Sequence, residues 1–303
     1  MTTTARTPTF GKVKPRHKGL AALITHHTFR RLIQAGLLAF IAFIALRHAL
    51  VGEGSGQTTA SWEAYCPMGG LESLYKYVVS GGRFVPHVHV SNFVVLVAAL
   101  VTALLARNAF CGWLCPFGFI QDMISSFSAF IQKRVPAIRR AVKTLKTRGA
   151  RLAGLDRYLR LIKYGVLAWA VIGAAVYGFM VFRDYDPWAA LWSLLELSLT
   201  AGTIVLAIVL AASLFVERPW CRYACPLGAA TGLVGKLSPF YLKREAEACK
   251  MCAVCTTACP MGLPVHTATT IKNADCIGCL KCVSECPRQG ALELKVGVPV
   301  FGK

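Results

Sequence analysis

One cysteine pattern, written twice near the end of the chain, limits its fold more than any other feature. Cys249-x2-Cys252-x2-Cys255-x3-Cys259-Pro260 recurs as Cys276-x2-Cys279-x2-Cys282-x3-Cys286-Pro287. This is the bacterial spacing for paired [4Fe–4S] clusters. Two intervening residues let one tight loop deliver three thiolates to three corners of a cube. The fourth cysteine lies too far along to close on the same cube, so it crosses to the other cluster. The expected ligand sets are Cys249, Cys252, Cys255 and Cys286 for one cluster, and Cys259, Cys276, Cys279 and Cys282 for the other. The proline after each fourth cysteine fixes the turn that leads the chain away. Disulfides do not suit a domain on the reducing side of a membrane. Zinc sites usually space two CxxC pairs widely, unlike this compact doubled quartet.

The rest of the chain is apolar and basic together. It is 55% hydrophobic and carries a formal charge of +20. A soluble protein that apolar would expose sticky patches, whereas a membrane protein hides apolar residues in spans and crowds basic residues on one face. Four stretches are candidate spans of about 20 residues each. They are Leu32–Val51, a shorter one centred on Phe93–Ala106, Tyr164–Phe182 and Leu197–Val216. The intervening charges alternate. Residues 1–31 hold seven Lys/Arg and no acid, 52–90 two against three, 107–160 eleven against two, 183–196 one against three, and 217–303 eleven against six. The positive-inside rule then expects both termini and the 107–160 loop in the cytoplasm. The surplus charge reads as topology, and nucleic acid is not an expected partner. The first apolar run is too long for a signal-peptide core and lacks a small-residue cleavage site, so an uncleaved span is expected.

The membrane part repeats itself. Arg107-Asn-Ala-Phe-Cys-Gly-Trp-Leu-Cys-Pro-Phe-Gly118 echoes Arg218-Pro-Trp-Cys-Arg-Tyr-Ala-Cys-Pro-Leu-Gly228, and Tyr65-Cys-Pro-Met echoes Tyr185-Asp-Pro-Trp. A duplicated two-span unit follows, with any pseudo-twofold axis along the membrane normal. In this alignment Cys66 matches Asp186. Each Cys-x3-Cys-Pro motif is expected to end a span at its first cysteine and to cap a new helix with its second, proline taking the first helical position. A cysteine at a helix N-terminus near Arg107, Arg218 and Arg222 is expected to have a lowered pKa. Cys111, Cys115, Cys221 and Cys225 are thus a candidate third site, for a further metal, a cluster or a reversible dithiol. The alternative is a packing motif of small residues. Between the halves, Phe119, Ile120, Met123, Ile124, Phe127, Phe130 and Ile131 follow a helical period. The eight Lys/Arg from Lys133 to Arg151 suit anionic lipid headgroups or a solvated loop.

Other residues give weaker signals. Cys66 reads first as a small apolar filler; with Met68, His87 and His89 it could form a soft metal site. Trp113, Trp188, Trp192 and Trp220 read as interfacial anchors, with a quinone pocket among them as the alternative. No histidine pair at matching depth supports a membrane haem.

The Cys-Gly-Trp-Leu-Cys-Pro116 and Cys-Arg-Tyr-Ala-Cys-Pro-Leu-Gly228 segments, beside the doubled quartet, resemble the polyferredoxin membrane proteins typified by NapH, with NosR and CcoG as relatives. The resemblance covers Leu32 to about Pro287. It implies four spans, a cytoplasmic two-cluster domain, and electrons taken from quinol and passed to a partner redox protein. The expected fold is an α-helical integral membrane protein of four transmembrane helices, with a C-terminal α+β bacterial-type 2[4Fe–4S] ferredoxin domain. The expected division is a basic N-terminus (1–31), a first two-span repeat (32–118), an amphipathic and basic linker (119–160), a second two-span repeat (161–240) and the ferredoxin domain (241–303). The expected setting is the inner membrane of a bacterium or archaeon. The function expected is the electron-transfer part of a quinol dehydrogenase, working with the quinone pool and a ferredoxin-type, multihaem cytochrome or reductase partner. The alternatives are a copper-reducing assembly factor and a redox sensor.

Overall fold

The computed structural model describes residues 27–51, 66–71, 74, 90–140, 142, 153–177, 179–194, 198–288 and 290–297. The basic leader 1–26, His87, His89 and most of the basic run 143–152 lie outside the described residues.

Helix α1, His27–Val51, is a run of Leu, Ala, Ile and Phe without an internal proline, and such residues lose little on entering a helix. Helix α2, Val90–Ala106, stops at Arg107, whose φ of 60° is left-handed and ends the helical path. A π-helical turn, Phe110–Leu114, follows, then α3, Pro116–Arg134. Val135 is extended, and the helix ends there because Pro136 disfavours a helical residue before it. Helices α4, Ala153–Leu159, and α5, Ile162–Tyr177, open the second half. Then come α6, Pro187–Ser193, α7, Ala201–Ser213, α8, Pro219–Tyr223, and α9, Pro226–Val234.

Among the described residues two helical stretches are long and apolar enough to cross a bilayer, Thr28–Arg47 and Asp156–Tyr177. The other two expected spans are shorter helices. The 13 residues of α7 rise about 20 Å, against about 30 Å of hydrocarbon. Thr200 just before α7 is extended, which is why the helix starts at Ala201. All four helices nevertheless expose apolar faces: Phe40 and Phe43 on α1, Val97 and Val101 on α2, Ile172 and Val176 on α5, Ile204 and Ile208 on α7.

Helix α3 lies across one end of this group. Arg30 and Arg31 of α1 donate to Asp122 Oδ2 and Ser126 Oγ, both at 3.1 Å. Ser125 and Ser128 donate to Ser213 O and Leu214 O at the end of α7. The outer face of α3 leaves Met123, Phe127 and Phe130 exposed, with Lys133 and Arg134 in its last turn. This is the amphipathic pattern expected between the halves.

The duplication is visible in backbone detail. Cys115 and Cys225 have almost the same conformation (φ/ψ −67/113° and −69/111°) and each caps a helix with proline at its first position. Their sulfurs accept from Gly118 N–H (3.4 Å) and Gly228 N–H (3.3 Å). Arg107 and Arg218, which open the two motifs, are both left-handed. At the other end of the bundle, Asp186 precedes Pro187 and caps α6 through Trp188 N–H. Cys66 precedes a helical turn over residues 67–71 in the same way.

The C-terminal domain is a three-stranded antiparallel sheet in the order β2-β1-β3, from β1 (Phe240–Arg244), β2 (Thr270–Ile271) and β3 (Leu292–Val296). Leu242 is central, opposite both Ile271 and Leu294. Leu242, Ile271 and Leu292 are buried with Met261, Leu263, Val265 and Ile277 in one apolar cluster, which also takes in Cys111 from the membrane half.

Candidate iron–sulfur site

The two cysteine loops have matching shapes. Single-turn helices α10 (Val254–Thr257) and α11 (Lys281–Ser284) occupy the same place in each quartet. The residues just before them, Ala253 and Leu280, are left-handed, as are Met251 and Gly278 two positions earlier. Left-handed residues alternating between ligands make the chain curl, and backbone amides in such concavities favour anions.

The curl brings the cysteines into two crossed groups. Cys286 has Cys252 and Cys249 beside it, and Cys255 faces Cys286, Cys249 and Cys252. Cys276 has Cys279 and Cys259 as neighbours, and Cys282 lies nearest Cys279, Cys276 and Cys259. Burial pushes the Cys276 thiol up to about 11, with neighbouring thiols adding to it and the Arg107 charge opposing. Burial and neighbouring thiols raise Cys255, Cys259, Cys282 and Cys286 too. Such thiols hold their protons at neutral pH until iron displaces them, so loading releases protons.

Among the described residues no group of three Cys, His, Asp or Glu side chains forms a single metal-ion site. Instead Cys259, Cys276, Cys279 and Cys282 line a small cavity of about 20 Å³, walled by Leu242, Ile271 and Leu280.

This inner group is docked on the membrane half. Gly112 lies against Ile277, so close that an added Cβ would sit 2.2 Å from Ile277 O. Trp113 Nε1 donates to Gly278 O at 3.1 Å. Arg107 donates to Ile271 O and Asn273 O. From α5 and the turn before it, Lys163 and Arg160 both pair with Asp275, the residue before Cys276, and Arg160 also donates to Met261 O at 2.7 Å.

The four cysteines of the Cys-x3-Cys-Pro motifs come together as well. Cys111 faces Cys115 and Cys221; Cys225 faces Cys221, Cys111 and Cys115. They line one end of a cavity of about 270 Å³ whose far end holds Cys66, Met68, Asp186 and Trp188. The expected lowering of these thiols is overturned: burial raises all four, Cys221 to about 12. The Arg218 charge opposes this shift at Cys111, Cys115 and Cys221 without overcoming burial. Arg218, fully buried, is forked onto Asp122 at 2.8 and 2.7 Å and donates to Cys111 O. Arg222 pairs with Asp156 at 2.8 Å. Trp188 and Trp220, expected as interfacial anchors, are buried in the wall of the cavity, because α6 and α8 turn them inward. Cys66 is packed on this core, as a small apolar filler would be.

Comparison with known proteins identifies the architecture. A family model described as a 4Fe-4S binding domain matches residues 88–136 and again 198–245. One described as a 4Fe-4S dicluster domain matches 241–287. The ferredoxin-type protein NapH of Haemophilus influenzae is 29% identical over 212 residues, covering 65% of this chain and 67% of NapH. YccM of Escherichia coli (strain K12), a protein named for electron transport, is 32% identical over 289 residues, 91% of this chain and 77% of YccM. This chain belongs to the NapH-like polyferredoxin family. As a NapH-like protein it binds [4Fe–4S] clusters. Protein NirI of Paracoccus denitrificans is 30% identical over 180 residues, but these are only 24% of NirI. No solved structure matches.

Three positions that contact the cysteine groups or their loops escaped the sequence reading. Gln121 and Thr231 approach the motif cysteines, and Asp275 anchors the inner loop. None belongs to a motif, and each acts only through a residue far away in sequence.

Proposed function

We propose that this NapH-like protein is a multi-pass inner-membrane protein, both termini cytoplasmic, that takes electrons from quinol and passes them to a soluble or membrane-attached redox partner. The two clusters would be held by Cys249, Cys252, Cys255 and Cys286, and by Cys259, Cys276, Cys279 and Cys282. When bound, they supply one-electron redox chemistry. All four membrane helices would span, the short α2 and α7 being matched by local thinning of the bilayer.

The observation that carries this reading is the cavity between the two half-repeats. Its wall is largely aromatic and aliphatic, including Ile41, Phe117, Phe182, Trp188 and Trp220. It reaches from Asp186 to the motif cysteines, next to the docked inner loop. An apolar pocket with a few convergent polar groups suits a quinol ring. Quinol oxidation releases two electrons and two protons, so the pocket needs a base. Burial lifts the Asp186 carboxyl to about 7, Trp188 N–H opposing the shift, which poises it to accept the first proton. The sign is definite: the carboxylate is the competent form, so the rate rises with pH through about 7.

The test uses the full chain, purified without oxygen in detergent. A water-soluble quinol analogue should reduce the clusters, followed by electron paramagnetic resonance, with a rate that climbs through this pH range. Asp186→Asn should slow reduction by about 10²-fold or more and flatten the pH profile. Clusters that accept electrons from dithionite but never from quinol would sink the proposal.

A further inference from the structure

We propose that Cys111, Cys115, Cys221 and Cys225 together hold a third iron–sulfur cluster, one cube shared between the two halves of the membrane repeat. It extends the electron-transfer reading above and rests on it only for its purpose. The first argument is arithmetic. The 4Fe-4S binding model matches each half separately, yet each matched segment contains two cysteines, and a [4Fe–4S] cube takes four. Two matches therefore make one site, and only if the halves meet. They do, since each of the four thiols has thiols from the other half beside it.

The second argument is the hydrogen bonding of the sulfurs. Cys115 and Cys225 each accept from the backbone N–H three residues on, at 3.4 and 3.3 Å. The first cysteine of each motif is approached by a polar side chain from the opposite half. Gln121, ten residues after Cys111, donates Nε2 to Cys221 Sγ at 3.7 Å. Thr231, ten residues after Cys221, places Oγ1 3.9 Å from Cys111 Sγ. Both side chains are fully buried. The Gln121 amide is oriented by Trp220 N–H, which donates to its Oε1 at 3.2 Å. Thr231 gives its hydroxyl proton to Leu227 O at 2.8 Å, so the donor across the halves is the Gln121 amide. A packing motif of small cysteines has no need of a buried amide aimed at a sulfur. Thiolates on a cluster do, because hydrogen bonds to the sulfurs stabilise and tune it.

The third argument is charge. A [4Fe–4S] cube with four thiolates is net negative. The buried cluster of Arg30, Arg218 and Asp122 beside it has two cations against one anion. That surplus positive charge offsets the cost of holding an anion away from water. The four sulfurs line one cavity.

Iron and acid-labile sulfide, counted on the full chain purified without oxygen, test the assignment. Wild type should carry about 12 of each, three cubes of four. Cys221→Ser with Cys225→Ser should lose about four of each while both ferredoxin signals persist. Gln121→Leu with Thr231→Val, which spares the ligands, should keep the iron and shift only the third paramagnetic component. About eight irons in wild type, unchanged in the double cysteine variant, would overturn the third cluster and leave the ferredoxin reading standing. So would a disulfide or alkylatable thiols at these four positions in iron-replete protein. Iron-free, folded protein would overturn both.

Discussion

Gly112→Ala should uncouple the ferredoxin domain from the membrane half. The new Cβ would lie 2.2 Å from Ile277 O, a backbone atom. Ile277 follows Cys276 and is held from its other side by the Lys163–Asp275 and Arg160–Asp275 pairs, so neither partner can yield cheaply. Overpacking of this kind costs about 1–3 kcal/mol and sometimes more. The domain has its own sheet and apolar cluster, so the strain should be relieved by undocking before unfolding. Iron content is therefore expected to persist, while reduction of the ferredoxin clusters through the membrane half falls by at least about tenfold. Protease sensitivity between Leu237 and Phe240 should rise. Normal reduction kinetics with a normal cleavage pattern would show that this contact is not the coupling point.

Arg218→Met should be the most destabilising single change in the membrane half. It leaves Asp122 with Arg30 alone and frees Cys111 O, which Arg218 now satisfies. Breaking one side of a buried ion pair costs about 3–5 kcal/mol. Adding Asp122→Leu should recover much of the loss, because the penalty lies in the stranded charge more than in the missing attraction. The pH dependence follows from Asp122. Burial works against its charge, but Arg218, Arg30 and Lys281 together outweigh burial and hold the carboxyl below its ordinary range. Its contribution is therefore fully present above the unfolded value of about 3.9 and fades as pH falls through the lower folded value. Thermal unfolding in detergent should show wild type losing stability on acidification over this window. Arg218→Met should lose less there, having lost the pair already. A loss under about 1 kcal/mol in the single variant would refute the assignment.

Local patterns told most about this chain. The ferredoxin quartets were legible because ligand spacing within a loop is written in consecutive residues. So was the capping by Cys115 and Cys225, since a proline after a cysteine at a span end has few other places to go. The duplication could be read from short echoes, and the backbone repeats it down to paired left-handed arginines. What failed was whatever depends on burial. Helix-end position argued for reactive thiols at Cys115 and Cys225, but removal from water outweighs the end of the helix. Trp188 and Trp220 were assigned to the interface by composition, and α6 and α8 turned them inward. Gln121 and Thr231 are different residue types at equivalent positions, so no repeat search would pair them. They become a pair only when the halves cross.

The two ferredoxin cysteine groups are unequally placed, and that fixes a sequence of stations. The group around Cys276 and Cys282 is walled in by Leu242 and Ile271 and seated on the membrane half. The group around Cys249 and Cys286 forms the rim: all four of its cysteines are part-exposed, whereas Cys282 of the seated group is buried. Charge leaving the membrane half would call at the seated group before the rim, and charge entering from a partner would take the reverse order. A change of physiological partner would therefore rewrite only the rim's surface, and the membrane-side wiring could be inherited untouched by proteins serving quite different pathways.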